Sequence, residues 1–290
     1  MKLFIKNSVI FIFILITYFL INCTINFFNI QNQLLPLTKT SILIVGDSHT
    51  QKSLDPNLFD NASNISQYAE PYLLTFWKLK KIFETFTPDT IIIGFSPHNI
   101  SEFNDLKFSN SKWANKMFER SYTIINFNEI SNEITVNKKL LYKKIWKRTA
   151  LYPKKNHIDY IGKYSNINDS NLSDLKSVID RHYFINNKQT NTSATSINYL
   201  NSIIKLCDSK KITIILLASP VHKDYFAKIP KEILEKYNSL FYNYGNKYLT
   251  INFLSNDYTD SLFLDYNHLN KFGSEKFTLK IKDKLNNRTY

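Results

Sequence analysis

Residues 41–50 constrain the fold more than any other stretch of the chain. Their sequence is Ser-Ile-Leu-Ile-Val-Gly-Asp-Ser-His-Thr, so four apolar residues precede a glycine and a polar group. A short, continuous apolar run is typical of a strand that is buried on both faces of a parallel sheet. Gly46 allows a sharp turn after that strand and places Asp47 and Ser48 at its carboxyl end, the edge where open α/β sheets bind ligands.

Short apolar strands and amphipathic helices alternate along the rest of the chain. Apolar residues repeat at helical spacing in residues 72–86, and the apolar run 90–93 follows them as a second core strand. Later segments repeat the pattern, with helices predicted at 194–210, 230–244 and 271–285 and strands at 212–218 and 248–251. Helices that alternate with short apolar strands are typical of an α/β fold with a parallel sheet. We therefore expect this fold class.

A serine at the ligand edge needs a base, and the far end of the chain offers one. Asp265-Tyr-Asn-His268 places a carboxylate and an imidazole three residues apart. On one helical turn these two side chains would share a face. Asp265 could then hold the Nδ1–H group of His268, which leaves Nε2 free to take the Ser48 proton. The alternative is a surface turn with an incidental aspartate and histidine.

These two segments resemble the SGNH (GDSL-like) hydrolase superfamily. Gly46-Asp47-Ser48 is similar to the first block of that family, and Asp265-x-x-His268 followed by Leu-Asn is similar to its last block. The Asp-x-x-His-Leu-Asn motif resembles especially the cell-envelope branch of that superfamily, which includes alginate-type O-acetyltransferases and the teichoic-acid D-alanylation protein. The resemblance implies a three-layer α/β/α fold in which Ser48 is the nucleophile, His268 the base and Asp265 the residue that orients it.

The residues that would bind the oxyanion are less clear from the motifs. The family's second block contributes a glycine, whereas residues 61–71 contain none. Its third block is Gly-x-Asn-Asp, whereas this chain has Gly-Phe-Ser-Pro-His-Asn at 94–99. The Ser48 amide is one predicted donor. The further candidates for the oxyanion or substrate are Gly94, Ser96 and Asn99.

No cofactor or metal site is predicted. The two cysteines, Cys23 and Cys207, lie far apart in sequence, and neither has metal-ligand spacing. The six histidines are scattered without an i, i+4 pattern. His222 follows the strand at 212–218, so it is a candidate contact for substrate at the ligand edge. A loop histidine without such a role is the alternative.

The N-terminus is predicted to direct the chain out of the cytoplasm. Lys2 and Lys6 precede an almost wholly apolar run at residues 9–21. An uncleaved signal anchor, a cleaved signal peptide and a lipoprotein signal that ends at Cys23 are the three interpretations. We expect a transmembrane segment at 1–25, a spacer at 26–40 and an SGNH-like domain at 41–290. An insertion at about 100–190 would cover the active-site edge.

Charge narrows the class of partner. The formal net charge is +13 and the isoelectric point about 9.4, which favours acidic glycans or anionic lipid surfaces. Nucleic acid is not expected, because the chain is exported and carries no recognised nucleic-acid-binding motif. Residues 137–151 are predicted to form a basic amphipathic helix within the insertion. Such a helix can lie on an anionic membrane or bind an acidic polymer, and the alternative is an ordinary solvated helix.

The sequence therefore predicts a membrane-anchored, extracytoplasmic Ser-His-Asp enzyme that acts on acyl esters. Its substrate would be a cell-surface polysaccharide, and the enzyme would be an O-acyltransferase or an esterase. A non-catalytic glycan-binding or envelope-assembly protein of the same fold is the alternative. A plain lipase is disfavoured, because the Gly-x-Ser-x-Gly elbow is missing. The acyl group and the oligomeric state are not predicted.

Overall fold

The computed structural model describes residues 1–32, 37, 39–152, 158–255 and 258–287. The helices, in chain order, are α1 (Lys2–Gln31), α2 (Ser48–Ser53), α3 (Tyr72–Ile82), α4 (Ser111–Ser121), α5 (Phe127–Ile130), α6 (Lys138–Trp146), α7 (Leu175–Tyr183), α8 (Ala194–Ser209), α9 (Lys223–Phe226), α10 (Lys231–Gly245) and α11 (Lys271–Asn286). The strands are β1 (Ile42–Val45), β2 (Ala62–Asn64), β3 (Thr90–Gly94), β4 (Phe184–Ile185), β5 (Lys188–Gln189), β6 (Thr213–Ala218), β7 (Leu249–Asn252), β8 (Phe263–Asp265) and β9 (His268–Leu269). Short 3₁₀ segments lie at Pro56–Leu58, Pro97–Ile100, Glu102–Phe108 and Asp260–Leu262, and a π-helical turn lies at Lys147–Leu151.

The chain forms two compact units. The sheet unit contains Leu37–Lys107 and Ile161–Tyr290, and the helical unit contains Met1–Pro36 and Phe108–Tyr160. The predicted insertion at about 100–190 therefore divides: its central part folds with the N-terminal helix instead of forming part of the sheet domain. Long-range packing of this kind leaves no local signal in the sequence.

The sheet unit is built on a five-stranded parallel sheet. Its strand order is β2-β1-β3-β6-β7, and every neighbouring pair is parallel. The predicted α/β fold class is thus confirmed, with strands close to the predicted positions. β2 was not predicted, because Ala-Ser-Asn has little strand propensity. It is an edge strand held by backbone pairing with β1.

Alternating strand residues fill the two faces of the sheet. Ile44, Ile92 and Ile215 lie in one apolar cluster together with Phe277 and Ile281 of α11. Their chain neighbours point to the opposite face, where α3 packs against α8 and α8 against β6. Full burial of one such isoleucine contributes about 1.5–3 kcal/mol. The core therefore fixes the register of the strands whose carboxyl ends carry the polar residues.

The helical unit contains one long apolar helix. α1 is 30 residues long, and its mean hydropathy over an 18-residue window is 2.4. It continues unbroken through Cys23 to Gln31, so residues 26–31, predicted as spacer, are its last turns. In length and composition α1 is a candidate membrane span or signal sequence. The basic helix predicted at 137–151 is present as α6 followed by the π-helical turn.

Candidate active site

A glycine turn brings the candidate nucleophile to the end of β1. Gly46 has φ +144°, and a Cβ on it would lie 2.5 Å from Thr50 Oγ1. Only glycine fits such a conformation without strain. Helix α2 then begins at Ser48, and the Asp47 carboxylate caps it by accepting the His49 N–H at 2.9 Å. Ser48 therefore occupies the first helical position, directly above the carboxyl edge of the sheet.

The candidate base and its partner lie in a hairpin. Asp265 ends β8 and His268 begins β9, and the two strands pair antiparallel. The prediction that they share a helical turn was wrong. The Asn267 N–H donates to Asp265 Oδ1 at 3.0 Å, so the aspartate side chain closes a tight turn between the strands. This turn still places both carboxylate oxygens 2.9 Å from His268 Nδ1.

Ser48 meets His268 across the two ends of the chain. Ser48 Oγ lies 2.8 Å from His268 Nε2. With Nδ1–H donated to Asp265, the neutral imidazole presents Nε2 as an acceptor for the serine proton. Burial raises the pKa of Asp265, but the adjacent His268 and its hydrogen bonds outweigh burial and lower that pKa to about 2. Asp265 is thus ionised at neutral pH and holds the imidazole in the tautomer that a general base needs.

A second carboxylate–imidazole pair lies beside this one. Asp47 Oδ2 is 2.5 Å from His98 Nε2 and also accepts the Asn99 side-chain N–H at 2.9 Å. The Asp47 and His98 side chains are 6% and 5% exposed. Burial raises the pKa of Asp47, but the neighbouring His98, and then His49, lower it well below its ordinary value. Asp47 is therefore a buried anion with all of its contacts inside the protein.

Three imidazole rings form a stack next to the candidate triad. We call His49, His98 and His182 the histidine stack. The ring centroids of His49 and His98 are 4.0 Å apart, and those of His98 and His182 are 4.9 Å apart. His182 Nδ1 lies 2.7 Å from the hydroxyl of Tyr225. Burial lowers the pKa values of His49 and His182 well below the ordinary value, so these two rings are neutral at pH 7.

Asn267 links the histidine stack to the candidate base. Its side-chain Nδ2 lies 3.1 Å from His49 Nε2 and 3.3 Å from His268 Nε2. The His49 ring centroid is 5.2 Å from that of His268. One amide group therefore fixes the spacing of two imidazoles, one of which contacts Ser48.

The predicted oxyanion residues on the segment after β3 have other partners. Asn99 donates to Asp47 and accepts the Ser96 N–H at 2.8 Å, so both ends of its amide are used inside the protein. Ser96 is thereby part of the same turn. Gly94 accepts the Tyr72 hydroxyl at 2.7 Å, and a Cβ on Gly94 would lie 2.7 Å from Thr50 Cγ2. In this structure the three residues support the Asp47 network and the Gly46 turn, and their predicted role toward the oxyanion or substrate stays a prediction.

His222 also has partners within the protein. Its Nδ1 accepts the Asp224 N–H at 3.2 Å, which caps α9, and its Nε2 lies 3.2 Å from Asp260 Oδ1. The ring packs against Phe263 and Tyr266. Both nitrogens thus have partners within the fold, and the predicted substrate contact stays a prediction.

Sequence reasoning missed His49, His98, His182 and Asn267. A signal existed for His98, because it follows β3 at the same sheet edge as Ser48. His182 lies on α7, in a region without clear periodicity, so nothing in the sequence pointed to it. Within the described part of the chain, no group of three or more histidine, cysteine or acidic side chains has metal-binding geometry. The expectation of no metal stays a prediction.

Comparisons with known proteins found only distant structural similarity to this chain. No family model matches the chain, and no curated protein matches it. A solved structure from Streptococcus pneumonia, described as a "putative platelet activating factor", is 14% identical, with coverage of 96% of this chain and 99% of that chain and a TM-score of 0.42. A "putative acylhydrolase" from Bacteroides fragilis is 12% identical, with coverage of 89% and 92% and a TM-score of 0.40. Likenesses this distant carry no conclusion about the reaction.

Proposed function

We propose that this protein is a membrane-anchored, extracytoplasmic Ser-His-Asp enzyme that cleaves or transfers acyl esters. The observation that carries the proposal is the 2.8 Å contact between Ser48 Oγ and His268 Nε2, with Asp265 on the other imidazole nitrogen. A nucleophile, a base and an orienting acid in mutual hydrogen-bond reach are the requirements of covalent acyl transfer.

In the proposed reaction, His268 Nε2 takes the proton of Ser48 as Oγ forms a bond to the acyl carbonyl carbon. The carbonyl oxygen becomes an oxyanion, which the Ser48 N–H stabilises. The bond to the leaving alcohol then breaks, and that alcohol takes the proton from His268. A sugar hydroxyl or a water next gives its proton to His268 and attacks the acyl-enzyme. The tetrahedral intermediate formed by this attack then collapses. The bond between Ser48 Oγ and the acyl carbon breaks, the product is released, and His268 returns the proton to Ser48.

A cell-surface glycan is the proposed substrate class. The charge of +13 favours an acidic polymer. The long apolar helix α1 favours a location at the membrane, with the sheet unit outside the cytoplasm. Transfer and hydrolysis use the same three side chains. Mass spectrometry of the products formed with and without an acceptor glycan would distinguish the two.

The experiment that tests the proposal is labelling of the full chain in detergent with a fluorophosphonate, a reagent that modifies activated serines. We expect labelling of the wild type and a loss of labelling in Ser48→Ala. Ser202→Ala is the control, because Ser202 is partly exposed on α8 and its hydroxyl donates to the Asn198 carbonyl of the same helix. Equal labelling of Ser48→Ala and the wild type would refute Ser48 as the nucleophile.

The second candidate function is a non-catalytic glycan-binding or envelope-assembly protein. Two observations favour it. Ser48 is 6% exposed and His268 5% exposed, so access to both is limited. The Asn99 amide, a predicted oxyanion donor, is bonded within the protein. A folded wild-type chain that fluorophosphonate leaves unlabelled would favour this function.

A further inference from the structure

The cationic side chains of α6 and the following π-helical turn point in two directions. Residues 137–152 contain six basic residues and no acidic one. Lys144 and Arg148 turn inward and pair with Glu119 of α4. The other four, Lys138, Lys139, Lys143 and Lys147, are exposed, and none of them has an ion-pair partner among the described residues.

Large aromatic side chains lie among the exposed lysines. Tyr142 is 61% exposed and Trp146 52% exposed. They are four residues apart and therefore share a helix face with Lys139 and Lys143. We call these four residues the basic-aromatic face. Rings with a polar tip, flanked by lysines that extend their ammonium groups, are typical of a helix that lies at a membrane–water interface.

The helical unit joins this face to α1. The Trp146 ring centroid lies 5.8 Å from that of Phe19, and the Tyr18 hydroxyl donates to the Leu151 carbonyl at 2.8 Å. The Asn26 side-chain amide, fully buried, donates to the carbonyls of Thr149 and Tyr152 at 2.7 and 2.8 Å. All these contacts are near the end of the apolar run of α1.

The length of α1 determines how deep in a bilayer those contacts would lie. Its 30 residues span about 45 Å, whereas the hydrocarbon core of a bilayer is about 30 Å thick. If the apolar residues from Leu3 onward fill the core, the helix leaves it near Asn22. The contacts with α6 and the π-helical turn begin just before that residue and continue after it. The basic-aromatic face is therefore held at the depth of the lipid headgroups.

We propose that the basic-aromatic face lies on the headgroups of an anionic lipid bilayer, beside the point where α1 leaves the membrane. This inference rests on the part of the proposed function that retains α1 as an anchor. The exposed lysines match phosphate groups in charge, and Tyr142 and Trp146 enter the boundary between headgroups and acyl chains. An acidic polymer would satisfy the lysines but not the aromatic rings or their position next to an apolar helix.

The experiment measures the depth of Tyr142 in the full chain. A spin label is attached to Tyr142→Cys after Cys23→Ser; Cys207 is buried and does not compete. The protein is reconstituted into vesicles of phosphatidylcholine, with or without phosphatidylglycerol. We expect the label in anionic vesicles to be protected from a water-soluble paramagnetic reagent and accessible to oxygen. Protection should be weaker in pure phosphatidylcholine.

Charge reversal supplies the matched comparison. Lys139→Glu with Lys143→Glu should lower the ratio of membrane-seated to free label by at least about tenfold, since each lysine near an anionic surface strengthens binding by about fivefold. Lys231→Glu with Lys236→Glu reverses the same number of charges on exposed lysines of α10 and should change nothing.

Three results would overturn the inference. They are a label fully accessible to the aqueous reagent in both vesicles, equal protection in both lipids, and protection that appears only when an acidic polysaccharide is added. Fluorophosphonate labelling of Ser48 on the same samples separates this test from the proposed enzyme. The lipid contact can fail while Ser48 still reacts, and the reverse can also occur.

Discussion

Two carboxylate–imidazole pairs lie side by side at the sheet edge. They differ in the other groups that each pair contacts. Asp265 and His268 come from one hairpin, and the far nitrogen of His268 faces Ser48 at 2.8 Å. Asp47 and His98 lie in the segments that follow β1 and β3, and Asp47 also accepts hydrogen bonds from Asn99 and from the His49 N–H. The Asp265–His268 pair contacts the candidate nucleophile Ser48, whereas the hydrogen bonds of the Asp47–His98 pair go to other groups that support the turn.

Solvent exposure separates the pairs as well. The Asp265 side chain is 35% exposed, whereas that of Asp47 is 6% exposed. Hydrogen bonds to a buried carboxylate cannot be replaced by water when they are lost, whereas those to a partly solvated carboxylate can. We infer that the Asp265 pair acts in chemistry, while the Asp47 pair holds the turn that carries Ser48. Substitutions in the two pairs should thus affect different measurements.

The largest effect is expected for His268→Ala. Removal of the general base should lower kcat by about 10⁴- to 10⁶-fold, with a small change in stability. Hydrolysis of a p-nitrophenyl ester measures kcat. His222→Gln is the matched control, because His222 lies on a nearby loop and bonds to Asp224 and Asp260. It should lower kcat by less than about tenfold, and equal losses in the two variants would refute the assigned base.

Asp265→Asn should come next, with a loss of about 10⁴-fold in kcat, because an amide favours the wrong tautomer of His268. The pKa of Asp265 is lowered to about 2, so the carboxylate is ionised at every pH above that value. Its contribution to stability is complete above the unfolded pKa of about 3.9 and is lost as the pH falls toward 2. An acid limb of kcat near pH 4 that Asp265→Asn abolishes would contradict this assignment.

Asp47→Asn should act mainly on stability. Asparagine still caps α2, so the variant isolates the loss of the charge beside His98. Replacing this buried anion with a neutral amide weakens the hydrogen bonds that it accepts from Asn99 and the His49 N–H, at a cost of about 1–3 kcal/mol. Urea denaturation should show that loss, and Asp265→Asn should lose much less. If Asp47→Asn is as stable as the wild type, the Asp47–His98 pair does not stabilise the turn that carries Ser48.

The two pairs also show what the sequence could reveal. Asp265 and His268 were found because they are three residues apart, next to a recognisable Leu-Asn, and the sheet followed from its apolar runs. Asp47 and His98 are 51 residues apart, so no local pattern linked them. Only the order of β1 and β3 in the sheet brings them together, and sequence gives strand positions more readily than strand neighbours.

The hairpin and the helical unit show a second limit. Spacing correctly placed Asp265 near His268, but it suggested a helical turn where a side-chain-closed β-turn is present. Both geometries bring residues three apart into contact. The pairing of α1 with residues 145–152 depends on a few long-range contacts, among them the Asn26 amide, and an asparagine near the end of an apolar run carries no information about its partner.

The smallest effect concerns the neutral members of the histidine stack. Burial lowers the pKa values of His49 and His182, so both stay neutral in the folded chain when the unfolded chain takes up protons below about pH 6.5. The unfolded state then binds more protons, and the free energy of unfolding must fall as the pH decreases below that value. Each histidine adds at most about 1.4 kcal/mol per pH unit to this slope.

His182→Gln should therefore remove up to about 1.4 kcal/mol per pH unit from the slope of unfolding free energy as the pH falls below about 6.5. Tyr225→Phe is the comparison, because it deletes the hydroxyl 2.7 Å from His182 Nδ1 but removes no group that titrates in this range. It should lower stability at every pH and leave the slope unchanged. If His182→Gln and the wild type have the same slope, His182 carries a proton in the folded state. The stack would then include a charged ring, and the Asp47 anion would serve more than one imidazole.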